Sequence, residues 1–111
     1  MRVLIGAFGA IARMGIRGLL DEEGIDVVAE ATASSAIVER LTEARPDVVF
    51  LDLDSEEALR TAAWIASAFP AITVIACSAD STAMRVYPPF HHGESYVCGL
   101  DRDALVRTLR G

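Results

Sequence analysis

Asp52 ends the consecutive apolar run Val48-Val49-Phe50-Leu51, and Asp54 follows two residues later. A carboxylate at the end of such a run can act as a nucleophile, a ligand or a hydrogen-bond anchor. Three further stretches hold groups able to do chemistry: Gly6-Ala7-Phe8-Gly9, Cys77-Ser78-Ala79-Asp80 and Cys98-Gly99-Leu100-Asp101. The first is a glycine turn that offers backbone amides to a phosphate if a helix starts there. The second offers a hydroxyl at Ser78. Cys77 and Cys98 sit in apolar runs, which suits buried, reduced thiols. No metal-ligand spacing joins them to His91-His92, which reads as a solvated loop pair. No metal or cofactor is expected.

Elements that bring these stretches together can be read from apolar spacing. Arg2 to Gly6 is a β-rich run, and Ala10 to Glu22 has Ile11, Met14 and Leu19 at helical spacing, with Gly24 as the stop. Asp26 to Ala31 is a second strand. Ser34 or Ser35 caps a helix carrying Ile37, Val38 and Leu41. Val48 to Asp52 is apolar on consecutive residues, so both faces are expected to be buried. A helix opens at Ser55-Glu56-Glu57, lines one face with Leu59, Ala62, Ala63, Ala66 and Phe69, and ends at Pro70. Ile72 to Cys77 is a fourth strand, Tyr96 to Cys98 a fifth, and Asp101 to Arg110 a closing helix with Leu105 and Leu109 inward.

Strands alternating with helices imply a parallel sheet covered on both sides. The expected fold is α/β and flavodoxin-like, a doubly wound five-stranded parallel sheet of order 2-1-3-4-5, with chemistry at the carboxyl ends of the strands. Pro88-Pro89 interrupts the place of a fourth helix, so a short helix from about Ser81 and an irregular segment are expected there. Tyr87, Pro88, Pro89 and Phe90 form an apolar cluster that either packs on the sheet edge or faces a partner.

The chain has 111 residues, a 52% hydrophobic composition and a net charge of -6. One domain, residues 1–111, is expected. The acidic balance, with no lysine at all, opposes nucleic-acid binding by these residues. Apolar runs fall far short of the ~20 residues of a membrane span, and the amino terminus does not resemble a secretory signal. A cytoplasmic location is expected.

Five segments together resemble the receiver domains of bacterial response regulators of the nitrate-regulator, LuxR-like helix-turn-helix class. They are Arg2-Val3-Leu4-Ile5, Arg13 to Leu20, Val27 to Ala31, Arg45 to Leu53 and Val74 to Ala79. The resemblance is strongest up to Leu53. It implies that Asp52 stands at the phosphoacceptor position, with Ser78 and Tyr96 at the positions of the switch hydroxyl and switch aromatic. It also implies that the acidic pair, which helps hold Mg²⁺, falls on Ala7 and Phe8, and that the lysine which pairs with the phosphoryl group falls near Gly99. Ala7 and Phe8 cannot ligate a metal. The Met-Pro-Gly loop of the family is replaced by Leu53-Asp54-Ser55, which runs straight into a helix. Without metal or lysine, a phosphoryl dianion beside Asp52 has little counter-charge. The resemblance is therefore to an atypical receiver.

The expected function is a phosphorylation-independent, non-enzymatic signalling domain of a transcription regulator. It would act as a homodimer, by binding a small-molecule effector in a pocket of Phe8, Asp52, Asp54 and Ser78, or by both means. DNA would be bound only through a C-terminal domain following Gly111, and the membrane not at all. The first and last helices, or the segment from Met84 to His92, are the expected dimer faces. Two alternatives stand beside this reading. One is a nucleotide-binding domain using the Gly6 to Gly9 turn, with Glu30 as the ribose-binding acid. The other is a purely structural dimerisation domain.

Overall fold

A computed structural model describes residues 1–6, 10–31, 34–52, 56–77, 83–91, 94–99 and 101–110. In chain order the elements are β1 (Arg2–Gly6), α1 (Ala10–Glu22), β2 (Asp26–Ala31), α2 (Ser34–Ala44), β3 (Val48–Asp52), α3 (Glu56–Ala68), β4 (Thr73–Cys77), β5 (Ala83–Tyr87), β6 (Tyr96–Gly99) and α4 (Arg102–Arg110). The strands form one sheet of order β2-β1-β3-β4-β5-β6. β1 pairs in parallel with β2 and β3, and β3 with β4. β5 is antiparallel to both β4 and β6.

Alternation along β3 explains the two layers of core. Val48 and Phe50 join a cluster with Leu20 of α1 and with Leu105 and Leu109 of α4. Val49 and Leu51 join the opposite cluster with Ile37 and Leu41 of α2 and Ala62, Ile65 and Ala66 of α3. Helices thus cover both faces, and the doubly wound, flavodoxin-like class holds. Two inward assignments do not. Met14 is 73% exposed, because it lies on the side of α1 opposite Ile16, Leu19 and Leu20, and Val38 is 41% exposed, at the margin of the Ile37 and Leu41 stripe.

The helix ends are closed by identifiable bonds. Gly24, at φ 70°, ends α1, with its amide donating to Asp21 and the Ile25 amide donating to Leu20. That is a Schellman closure, and its apolar contact is supplied by Ile25 and Leu20, both in the first cluster. Asp101 caps α4, its Oδ1 accepting the Ala104 amide at 2.8 Å. The Arg2 guanidinium donates to the Ala44 carbonyl at the C-terminus of α2, at 2.6 and 3.0 Å, where a cation is favoured.

The main departure from expectation is β5. The sheet has six strands and is mixed, not five and parallel. A strand occupies residues 83–87, within the segment expected to begin a fourth helix; residues 78–82 lie outside the described residues. The residue pattern accounts for it. Met84 and Val86 are buried on the α1/α4 face with the half-buried Arg85 between them, a period of two. Tyr87 is buried on the other face. Pro88-Pro89 stops any helical continuation. Arg85 then ties the returning chain in place, donating to Ser95 Oγ at 2.9 Å. The apolar cluster divides at this point: Tyr87 is 5% exposed and Phe90 is 70% exposed. Phe90 sits at φ 62° with its amide bonded to the Pro70 carbonyl, which fastens the turn to the end of α3.

Candidate functional site at the carboxyl end of the sheet

The consecutive apolar residues of β3 bury it centrally and deliver Asp52, half-buried, to the carboxyl end of the sheet. Strand registers then fix what lies beside it. Asp52 is opposite Cys77, Cys77 opposite Met84, and Met84 opposite Cys98. Cys77 and Met84 are core residues of the α1/α4 face and Cys98 packs against them. A row of a carboxylate, a thiol, a thioether and a thiol therefore crosses four strands.

Burial, and after it the negative charge of Asp52, push the Cys77 thiol up from 9.0 to about 11. Both causes disfavour the thiolate, so Cys77 is a poor nucleophile at neutral pH. Because the folded value exceeds the unfolded one, the folded chain holds this proton more tightly. The contribution is intact below pH 9 and is lost as the pH rises from about 9 to about 11. Melting temperatures between pH 8 and 11 should therefore fall less steeply for Cys77→Ala than for the wild type. Equal slopes would show that this thiol does not titrate as described.

The position of Gly99 changes most with the inserted strand. Gly99 pairs with Ala83 of β5, and β5 lies between β6 and β4. Adjacent strands are ~4.8 Å apart, so three steps separate β6 from β3 by ~14 Å. If β6 lay directly beside β4, the separation would be ~10 Å. Gly99, near which the resemblance places the lysine, thus lies one strand further from β3 than a five-stranded sheet would set it. A lysine's four-carbon stem is too short to carry its charge across that distance.

Tyr96, the expected switch aromatic, lies on the same outer strand. It opposes Val86 at the far end of β6 from Gly99, is 49% exposed, and is separated from β4 by β5. Ala7, Phe8, Asp54 and Ser78 lie outside the described residues, so of the four-residue pocket only Asp52 is placed. Two clefts among the described residues lie at the opposite end of the strands. One, about 550 Å³, is lined by Leu41, Arg45, Asp47, Phe69 and Ile72. The other, about 440 Å³, is lined by Thr73, Pro88, Tyr96 and Arg107. Neither contains Asp52, and neither was legible beforehand, since each is made by residues far apart in sequence.

The donors placed near Asp52 among the described residues do not fit a divalent ion. Among the described residues no three acids, thiols or imidazoles gather to hold a metal, and the side chain paired with Asp52 across β3 and β4 is a protonated thiol. His91 Nδ1 donates to the Pro89 carbonyl at 2.8 Å within its own turn. Glu30, the acid of the nucleotide-binding alternative, is paired with Arg17 at 3.0 Å. No helix among the described residues is long and apolar enough to cross a membrane.

No family model matches the sequence and no curated protein matches it. Solved structures do. The isolated receiver domain of RcsB from Salmonella enterica serovar Typhimurium, with the phosphomimetic BeF3-, is 25% identical with a TM-score of 0.63, over 74% of this chain and 64% of that one. The RcsB–DNA complex matches at 25% identity and a TM-score of 0.63, over 74% of this chain and 44% of that one. The signal receiver domain of a modulated diguanylate cyclase from Desulfovibrio desulfuricans G20, described as an example of alternate folding, is 26% identical with a TM-score of 0.60, over 72% and 66%. The match spans less than two thirds of either RcsB chain. The fold is the receiver fold of response regulators.

Proposed function

We propose that this chain is an atypical receiver domain of a transcription regulator of the nitrate-regulator, LuxR-like class, signalling without phosphorylation of Asp52. It has no catalytic residue of its own. It acts by associating as a homodimer, by binding a small-molecule effector, or by both, and DNA is contacted through a separate C-terminal domain. The RcsB–DNA complex supports that last assignment by analogy. The observation that carries the reading is β5, which sits between β4 and β6 and takes Gly99 one strand further from Asp52. The residues at the family's acid positions, Ala7 and Phe8, point the same way, since neither offers a metal ligand.

Thermal melting in beryllofluoride and Mg²⁺ tests the proposal. A receiver that forms the phosphoryl mimic gains RT ln(1 + [L]/Kd), ~2.7 kcal/mol at a hundredfold excess over Kd. For a domain of this size such a gain raises Tm by ~10 °C. The expected result is no rise beyond that given by fluoride and Mg²⁺ alone. A rise of several degrees that disappears in Asp52→Ala contradicts the proposal.

A further inference from the structure

The cleft of about 440 Å³ at the amino end of the strands is built by residues of β4, β5, β6 and α4. Alternation settles which side of the sheet it occupies. Val86 is buried on the α1/α4 face, and Tyr96, its register partner on β6, stands on that face beside it. Thr73 precedes Val74, a residue of the opposite cluster, so it also faces α4. The helix α4, returning from the end of β6, closes the cleft with Arg107 and the buried Leu109. Val86, Pro88 and Leu109 make the apolar part of its lining.

Three polar side chains on three different elements line this cleft with their bonding capacity unused. Among the described residues, Thr73, Tyr96 and Arg107 make no side-chain hydrogen bond, and Arg107 makes no ion pair. Arg2, Arg17, Arg40 and Arg85 are by contrast all engaged, with Ala44, Glu30, Glu43 and Ser95. Arg107 is the one charged group among the described lining residues. Asp103, one turn earlier in α4, and Glu94, two residues before Tyr96, are the nearest acids in sequence. Both are exposed, neither lines the cleft, and neither pairs with Arg107. The whole chain carries -6, but exposed charges are screened within ~8 Å at physiological salt, whereas a group inside the cleft meets the guanidinium directly.

That lining selects a ligand chemistry. A guanidinium grips a carboxylate with two parallel hydrogen bonds. The hydroxyls of Thr73 and Tyr96 can donate to the same acid group or to a second acceptor. The apolar lining suits a hydrocarbon body, and the volume lies within the ~300–1,000 Å³ of small-molecule sites. We propose that this cleft binds a small organic carboxylate, its acid group paired with Arg107 and its apolar body held between Tyr96, Pro88 and Leu109. The proposal rests on the effector part of the proposed function and deepens it by naming a site and a ligand class. The site lies at the other end of the strands from Asp52 and needs nothing from the phosphoacceptor position.

Amide NMR spectra of the isotope-labelled 111-residue chain, titrated with benzoate and with hexanoate, test the proposal, with benzamide as the uncharged counterpart. Both carboxylates are expected to give saturable shifts at Thr73, Val86, Tyr96 and Thr108, with a Kd of ~millimolar order for ligands so small. Benzamide should bind ~tenfold or more weakly, and Arg107→Gln should cost the carboxylates ~tenfold or more, since each removes a charge-assisted pair. Arg60→Gln removes an equal charge from an exposed position on α3, across the sheet, and stays close to wild type. Arg107 is exposed, and unchanged amide shifts in the core, at Phe50 and Ile75, check that its variant is folded. Carboxylates that shift no residue of the cleft at their highest soluble concentration overturn the proposal. Shifts that survive Arg107→Gln, or that benzamide matches, overturn it as well. Each of these failures leaves the beryllofluoride test of phosphoryl chemistry unaffected, so the atypical-receiver reading is judged separately.

Discussion

Gly6→Val is expected to destabilise the chain by more than ~3 kcal/mol and to lower Tm by ~15 °C or more. Gly6 is buried at the end of β1, beside β3. A Cβ there would lie 2.9 Å from Leu51 Cδ2, 3.1 Å from Ile37 Cδ1 and 3.2 Å from the Phe50 carbonyl oxygen. The two methyl groups can give by small rotations, but the carbonyl belongs to a strand paired on both sides. Alanine at this position should cost ~1–3 kcal/mol, and valine more, since its two further methyl groups enter the same space. Thermal melting of the two variants checks the order. A valine variant as stable as wild type would show that α2 moves away from the strand end without cost. The glycine at the head of the supposed nucleotide turn is thus needed for packing, whether or not any ligand binds there.

Most of this architecture was legible because its cues are local. The unbroken apolar run of β3 announced burial on both faces, and Gly24, Pro70 and Asp101 mark chain turns that the structure closes with hydrogen bonds. Asp52 at the end of that run was legible for the same reason. β5 was not, although Met84, Arg85 and Val86 alternate as a strand does. Five residues are too few to outweigh the expectation of a helix that family resemblance brings to this segment. Ile65, fully buried beneath α3, was missed because the apolar stripe was traced through the alanines beside it. The separation of Gly99 from Asp52 could not be read locally at all. It depends on where an intervening strand is inserted, which is a property of the whole sheet.

Phosphoryl transfer to Asp52 is expected to be absent, and restoring a single charge should not bring it back. Gly99→Lys is sterically allowed, since the position is exposed and its surroundings are open. Yet it places the ammonium three strands from Asp52, and in an ordinary receiver the lysine's strand would be two strands away. A lysine there is too distant to act as a close counter-charge to a phosphoryl dianion beside Asp52, since a charge near the surface interacts weakly through ~14 Å of solvent and protein. Ala83→Lys puts a lysine on the strand next to β4, the place that the last strand would take in a five-stranded receiver. It is the better of the two rescue variants, although without acids at Ala7 and Phe8 it lacks the metal ligands the family uses.

The most direct measurement is the intact mass of the protein after incubation with acetyl phosphate and Mg²⁺, taken for the wild type and for Gly99→Lys. Both are expected to keep their unmodified mass, at any Mg²⁺ concentration. A hydroxylamine-labile phosphoryl adduct on the wild type that Asp52→Ala removes would contradict the account, and its appearance only in Gly99→Lys would contradict the three-strand separation on which the account rests.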